Sequence, residues 1–325
     1  MSPRDRTPWG GPLKRAIPLL LAAGICAWLG SLVGWDRVTV SVGRARFDWF
    51  IPASIAYVII NFWVECLGLW TLFTRAVVRT PLREVLIVRA VTQFMGAVNV
   101  WLSQMGMAFY YARRSGLPMS YLTGVYFLLL IVDLTVTFLF AGSFIKPTGT
   151  PFDPVYMITV ALGLTLFPVI FLARRYSERR LGDLAKASVW FTRTGFRQIF
   201  APTFLIPIAD LLLLVLSRVV RYPVKAAYVL VTLWAFHVDV PAGTGLLVGT
   251  FTLLFGSIPV TPMGVGTTQA VGLVLFEGLG AREDVLSALF AVSIAQIAGS
   301  LVFGLYYLKG GLELMRMPPP SEKTT

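Results

Sequence analysis

The sequence predicts an all-α protein, a polytopic transmembrane helix bundle with two internal repeats, each containing a broken re-entrant helix pair. Three observations predict it. The chain of 325 residues is 56% hydrophobic and 14% charged, whereas soluble domains carry about 25% charged residues. Arginines and lysines gather between long apolar runs, as positive loops do when they orient helices in a membrane. Residues 255 to 272 place Pro259, Pro262, Gly264 and Gly266 between two short apolar runs, 245 to 255 and 270 to 276. Neither run reaches the roughly 20 residues that a spanning helix needs. Proline removes a backbone donor and glycine offers no packing, so a helix breaks here. A break in hydrocarbon strands amide groups unless protein or a water-filled cavity surrounds them, which makes a broken helix at membrane depth a candidate transport site.

The same device occurs earlier in the chain. Ser103, Gln104, Met105, Gly106 and Met107 align with Thr261, Pro262, Met263, Gly264 and Val265. Upstream, Pro81 and Pro241 begin the two apolar runs. Downstream, Ser115-Gly116-Leu117-Pro118 matches Glu277-Gly278-Leu279-Gly280, and a long apolar helix follows each. Three landmarks in one order indicate an internal duplication, with repeat one at 49–142 and repeat two at 218–308, inside one transmembrane domain at 16–315.

Taken in order, residues 1 to 15 form a basic cytoplasmic N-terminus with Arg4, Arg6, Lys14 and Arg15, and an apolar run occupies 16 to 33. A cleaved signal peptide competes with a retained helix. The run is long for a signal core, no small-residue cleavage site follows, and Trp28 and Trp35 suit an interface, so the retained helix is preferred. Residues 35 to 48 read as a short outer loop of mixed charge. The span 49 to 73 holds Asn61 and Glu65 and ends at Arg75, Arg79 and Arg83, a cytoplasmic mark.

Residues 84 to 98 and 107 to 111 come next, separated by an expected break at 99 to 106 and followed by Arg113 and Arg114. Basic clusters on both sides favour a hairpin over a single kinked span. The span 119 to 141 carries Asp133, 146 to 153 is an outer turn, and 155 to 173 returns to Arg174, Arg175, Arg179 and Arg180. Residues 183 to 200 fit an interfacial helix or a solvated one equally.

Residues 199 to 217 are apolar but contain Pro202, Pro207 and Asp210, with Arg218, Arg221 and Lys225 behind them. A crossing puts those cations outside, a bent hairpin keeps them inside, and the sequence leaves both open. The bent form makes the two repeats inverted relative to each other. Residues 226 to 238 lead to a turn at 239 to 243, the last span covers 285 to 308, and 316–325 is a Pro-rich disordered tail.

No enzymatic constellation stands out. There is no Walker loop, no His-Glu-x-x-His, no Gly-x-Ser-x-Gly, and His237 is the one histidine, placed at a helix end. Cys26 and Cys66 lie in apolar runs without zinc spacing. The expectation is therefore no enzyme, no catalytic residue, no cofactor and no metal. A net charge of +12 does not indicate nucleic acid, because the cations sit between spans. Gly245-x-x-x-Gly249 reads as close helix packing.

The informative groups are the ionisable residues inside spans, Glu65, Arg89, Asp133 and Asp210. A charge at the bilayer centre costs about 2.5 to 3.5 kcal/mol on insertion scales, so each should face protein or water. Arg89 stands out as the one buried cation, with Glu65 or Asp133 as its natural partner. It fits two roles, a bidentate grip on lipid phosphate or a paired charge that sets helix register. Gln93, Asn99, Gln104, Gln269 and Gln296 add uncharged polar atoms, each of which also fits an interhelical bond. The candidate substrate-binding set is Arg89, Gln93, Gln104, Gly106, Asp133, Pro262, Gly264, Gly266 and Gln269.

From Ile258 through Pro259, Pro262, Gly264 and Gly266 to Gln269, the chain resembles the lysylphosphatidylglycerol synthase transmembrane-region family of flippase-like integral membrane domains. The family pattern there is Ile-Pro-x-x-Pro-Gly-Gly-x-Gly followed by a glutamate. The resemblance extends over most of the chain, including the turn Arg113-Arg114-Ser115-Gly116. Met263 replaces the first glycine and Gln269 the glutamate, and the first repeat lacks the Pro and Gly-Glu of the pattern. If those carboxylates bind a cationic headgroup or a proton, this chain takes a different lipid or a structural role.

The resemblance implies a multi-pass protein of the bacterial inner membrane that moves membrane lipids, phospholipid or polyprenyl-linked, between leaflets. It implies no lipid aminoacylation, since the soluble synthase domain is not in the sequence. On this reading Gly106, Pro262, Gly264 and Gly266 open backbone groups to a polar path, Arg89 and Gln269 meet the headgroup, and direction comes from an ion gradient or mass action. One alternative is a non-transporting scaffold for an envelope-lipid enzyme partner or a homo-oligomer. The other is a membrane-embedded transferase using Asp133 or Asp210, against which stands the lack of clustered carboxylates.

Overall fold

A computed structural model describes residues 10–96, 100–143, 161, 207–256, 261 and 264–316. Among the described residues there are ten helices and no strand. The first six are α1 (Gly10–Val33), α2 (Trp35–Arg44), α3 (Phe47–Ala76), α4 (Leu82–Gly96), α5 (Val100–Ser115) and α6 (Met119–Ser143). After the undescribed segment follow α7 (Ile208–Ala235), α8 (Ala242–Gly256), α9 (Thr267–Leu275) and α10 (Arg282–Arg316). The expected turn at 146–153, the expected span at 155–173, the helix at 183–200, Asn99, Pro202, Pro259, Pro262 and most of the tail lie outside the described residues.

Among the described residues three helices, α3, α6 and α10, are long and apolar enough to cross a membrane. The 30 residues of α3 extend about 45 Å at 1.5 Å each, more than a hydrocarbon core of about 30 Å. On α3, Ile51, Ile55, Ile59, Trp63 and Leu67 are exposed at a spacing of four, while Tyr57, Phe62, Glu65, Cys66 and Leu69 turn inward. A continuous exposed apolar stripe on one helix face is what a lipid-facing surface requires.

The interior is built from aromatic pairs across helix seams. Tyr57 of α3 stacks on Tyr228 of α7 with ring centroids 4.2 Å apart, and Ser54 shares a 3.0 Å hydrogen bond with the Tyr228 hydroxyl. Phe62 stacks on Phe303 of α10 at 4.1 Å, and Phe73 on Tyr111 of α5 at 4.1 Å. Small residues let α10 lie close to its neighbours: Gly299 faces Val58, Gly304 faces Phe94 and Gly311 faces Val91. The Gly245/Gly249 pair packs against Leu230 and Val229 of α7, as its spacing predicts.

Three expectations are corrected. Residues 35 to 48 are chiefly the helix α2 and not a loop. Val38 and Ser41 are buried, Trp35 stacks on Phe290, and the Ser287 hydroxyl donates to the Val38 carbonyl at 3.3 Å. The first interruption is shorter than expected, because α5 begins at Val100 and carries Ser103, Gln104 and Gly106 in helical form. A single glycine costs a helix about 1 kcal/mol, too little to end it. A Cβ at Gly106 would lie 3.3 Å from Thr92 and 3.5 Å from Met95, so this glycine serves packing between α4 and α5.

The third correction concerns the stretch after residue 207. From Ile208 to Ala235 the chain is one 28-residue helix, with Pro223 inside it. Arg218, Arg221 and Lys225 therefore sit in mid-helix, continuous with the apolar residues before them. Two short helices followed by a long apolar one occur twice, as α4, α5, α6 and as α8, α9, α10. The 15 residues of α4 and of α8 extend about 22 Å each, short of the hydrocarbon thickness.

Gly304→Leu drives a side chain into Phe94 and should lower the unfolding temperature in detergent, at a cost of about 1 to 3 kcal/mol. Gly43→Ala, whose Cβ meets nothing within 4 Å, should leave that temperature unchanged or slightly raised. Differential scanning fluorimetry on both variants checks the seam.

Candidate functional site

Helical spacing decides which charged groups meet. Asn61 and Glu65 are four residues apart on α3 and share one face, while Arg218, Arg221 and Lys225 stand at i, i+3 and i+7 on α7. The two faces pack together, with Arg89 of α4 and Asp133 of α6 at their margins. Six ionisable side chains are thereby gathered between four helices.

Glu65 is the hub. Arg89 Nη2 donates to its Oε1 at 2.9 Å, and Arg221 Nη2 lies 3.2 Å from its Oε2. The second bonds of each guanidinium extend the network. Arg89 Nη1 donates to Ser103 Oγ of α5 at 2.9 Å, and Arg221 Nε donates to Asn61 Oδ1 at 3.1 Å. Arg218 Nε lies 3.2 Å from Asp133 Oδ1. Lys225 has its ammonium 5.8 Å from the Tyr222 ring centroid, within electrostatic reach of Glu65 and Asp133. Two carboxylates thus face four cations, leaving two positive charges in excess.

Arg89 pairs with Glu65, the first of the two partners its position suggests, but it is not the one buried cation. Arg218, Arg221 and Lys225 were missed because cations after an apolar run look like a cytoplasmic flank. Their 3-4 spacing on one face was the available signal. Asp210, the remaining acid expected inside a span, lies near the start of α7 and is 3.4 Å from Arg75. At the α4–α5 end, Glu84 is 2.8 Å from Arg114 and accepts from the Tyr110 hydroxyl at 2.8 Å.

The second part of the predicted set lies at the interruption between α8 and α9. Gly264 and Gly266 have φ of +74° and +90°, a backbone region that only glycine enters without strain. A Cβ on Gly266 would also come within 3.1 Å of Ile25. Gln269 is fully buried. Its Oε1 accepts the Gly266 N–H at 2.7 Å, and its Nε2 donates to the Leu289 carbonyl at 3.2 Å and to Ser293 Oγ at 2.9 Å. Both amide donors are therefore used in tying the interruption to α10, while the Oε1 acceptor answers the Gly266 N–H that the broken helix leaves open.

A polar ridge on α10 connects the two parts. Ser293, Gln296 and Ser300 share one helix face; Ser293 meets Gln269, Gln296 donates to the Tyr57 hydroxyl at 3.2 Å, and Ser300 accepts from Gln93 Nε2 at 3.1 Å. Ser293 and Ser300 are seven residues apart, about 10 Å along the axis. Of this ridge only Gln296 was legible as a polar residue inside a span. Gln104 is partly buried on α5 and Pro262 lies outside the described residues. Among the described residues no group of three His, Cys, Asp or Glu side chains could hold a metal.

Removing one partner of a buried ion pair costs about 3 to 5 kcal/mol, because the other charge is stranded. Glu65→Gln strands Arg89 and Arg221 together, whereas Arg89→Met leaves Glu65 with Arg221. Glu65→Gln should therefore unfold at the lower temperature of the two, and an equal or reversed order would remove Glu65 from the hub position.

No family model matches this chain, and no curated protein matches it.

Proposed function

We propose that the chain moves a lipid or lipid-linked molecule between the leaflets of a membrane, the bacterial inner membrane by the resemblance of its 258–270 stretch. The observation that carries this reading is the network of six ionisable side chains between helices α3, α4, α6 and α7. Charges held among membrane-crossing helices are costly, and they mark substrate or ion pathways. The interrupted helices support it further. The pairs α4/α5 and α8/α9 are read as re-entrant hairpins that meet near the midplane, one from each side, as in repeats of inverted topology. In that arrangement an amphipathic substrate passes with its headgroup along the charged cluster and the polar ridge of α10, and its chains stay in lipid.

A second reading is favoured by one feature. Gln269 spends its donors inside the protein and Glu65 is paired on both oxygens, which suits a closed scaffold that supports an envelope-lipid enzyme without transporting anything. The two readings separate in proteoliposomes. Headgroup-labelled phospholipids and a labelled polyprenyl phosphate are distributed over both leaflets, and dithionite reads the fraction that exchanges. Transport gives exchange well above empty liposomes, lost in Gly264→Leu with Gly266→Leu while circular dichroism stays unchanged. Exchange equal to empty liposomes for every probe assigns the chain to the scaffold role.

A further inference from the structure

We propose that the seam between α6 and α7 is a binding site for an oxyanion of the phosphate class, gripped by Arg218, with Asp133 as the internal counter-ion that the incoming anion displaces. The proposal deepens the transport reading, and rests on it for the anion's role as part of the cargo.

Arg218 is 0% exposed, and among the described residues none of its three guanidinium nitrogens has a hydrogen-bond partner. The 3.2 Å approach of its Nε to Asp133 Oδ1 is off the N–H direction, and that carboxylate oxygen is itself without a hydrogen bond. Arginine does not shed its proton, so five buried N–H donors await an acceptor. Leaving buried donors unanswered costs free energy that an anion with several oxygens would recover. A guanidinium fork matches two phosphate oxygens in plane, whereas one carboxylate oxygen off axis uses none of that geometry.

The charge balance points the same way. Arg221 and Arg89 are committed to Glu65, and Arg218 and Lys225 both lie within its electrostatic reach. The cluster's formal surplus of two cationic side chains would be met by a phosphomonoester dianion and halved by a phosphodiester, and Asp133 supplies only one negative charge on this side.

Access runs past Asp133. Its side chain is 21% exposed, the most open of the pairs around the cluster, while Arg218 lies directly behind it. Gly68 of α3 leaves room for Ser217, whose Oγ would lie 2.5 Å from a Cβ there, and so lets α3 pack closely on α7 beside Arg218. In the same α6–α7 groove, a cavity of about 390 Å³ is bordered by Val132, Val136, Leu139, Val215 and Val219. Val132 and Val219 are the chain neighbours of the two charged residues. Neither Arg218 nor Asp133 borders this chamber, but Val215 and Val136 lie one helical turn from them on the same faces, so an acyl chain held there would leave its phosphate at the seam, which favours a lipid phosphodiester over free phosphate.

The test uses the full chain in detergent, with binding read by native mass spectrometry and thermal shift. The probes are dioleoylphosphatidylglycerol, dioleoylphosphatidylcholine, dioleoylglycerol and inorganic phosphate. Both phosphate-bearing lipids should bind and stabilise, and dioleoylglycerol should not. Arg218→Gln should weaken that binding about tenfold, the scale of losing charge-assisted hydrogen bonds. Asp133→Asn removes the competing carboxylate and should tighten it, which a merely misfolded variant does not do.

Binding of inorganic phosphate but of neither lipid, with the same response to both substitutions, keeps the site and assigns it to a soluble anion. Dioleoylglycerol binding as well as the phosphate lipids, no binding of any phosphate-bearing probe, or affinities unmoved by both substitutions overturns the site. Arg218-dependent binding without leaflet exchange would overturn transport alone. Exchange that proceeds with no phosphate-dependent binding would overturn the site alone.

Discussion

The arrangement of the bundle depends on one carboxylate. Glu65 projects from the middle of α3 into a space where it answers guanidinium groups from two other helices, Arg89 of α4 and Arg221 of α7. An ion taken out of water loses several kcal/mol of solvation, repaid only when partners sit at hydrogen-bonding distance in good geometry. That requirement fixes rotation and axial height for three helices at once, because a turn of any of them would strand a charge. The aromatic stacks on either side, Tyr57 on Tyr228 and Phe62 on Phe303, then fill the seam at the spacing the ion pairs impose.

The interruption between α8 and α9 solves a related problem with uncharged groups. A chain that leaves helical geometry away from water must find partners for its amides. Gln269 does this from within the sequence of the break, bonding back to Gly266 and across to α10. A glutamate at this position would bring a negative charge to this place. The amide here brings donors instead, and a serine hydroxyl and a backbone carbonyl accept them. The polar line of Ser293, Gln296 and Ser300 then runs along α10 from this point toward α3 and α4, so the interruption and the charged cluster share one supporting helix.

The long apolar helices were legible because hydropathy and length are local properties: the bounds of α3 and α6 fall within three residues of the runs at 49–73 and 119–141, while α10 starts three residues before 285 and runs eight beyond 308. The pairing of Arg89 with Glu65 was legible for a different reason: a charge inside an apolar run needs a partner, and few existed. The same argument failed for α7. Arg218, Arg221 and Lys225 follow an apolar stretch in the order expected of a membrane flank, and Pro223 among them suggests a break. Proline deletes one amide donor, and the surrounding packing on α3 kept the helix continuous through it. Likewise the sequence of α2 reads as a loop because its inward face is narrow, only Val38 and Ser41 being buried.

Composition, the length of the apolar runs and the glycines and prolines of residues 255 to 272 were enough to predict a helical protein whose long apolar runs include α3, α6 and α10, and an interrupted helix, since each follows from hydration and backbone sterics over a few neighbouring residues. Which charges meet was decided only by the fold. Glu65, Asp133 and Arg218 are far apart in the chain, and an arginine on a membrane flank and one buried at a helix seam look alike until a second helix supplies the carboxylate. The surplus of positive charge at the α6–α7 seam is a property of four helices together, because electrostatic pairing depends on distances that no single stretch of chain contains.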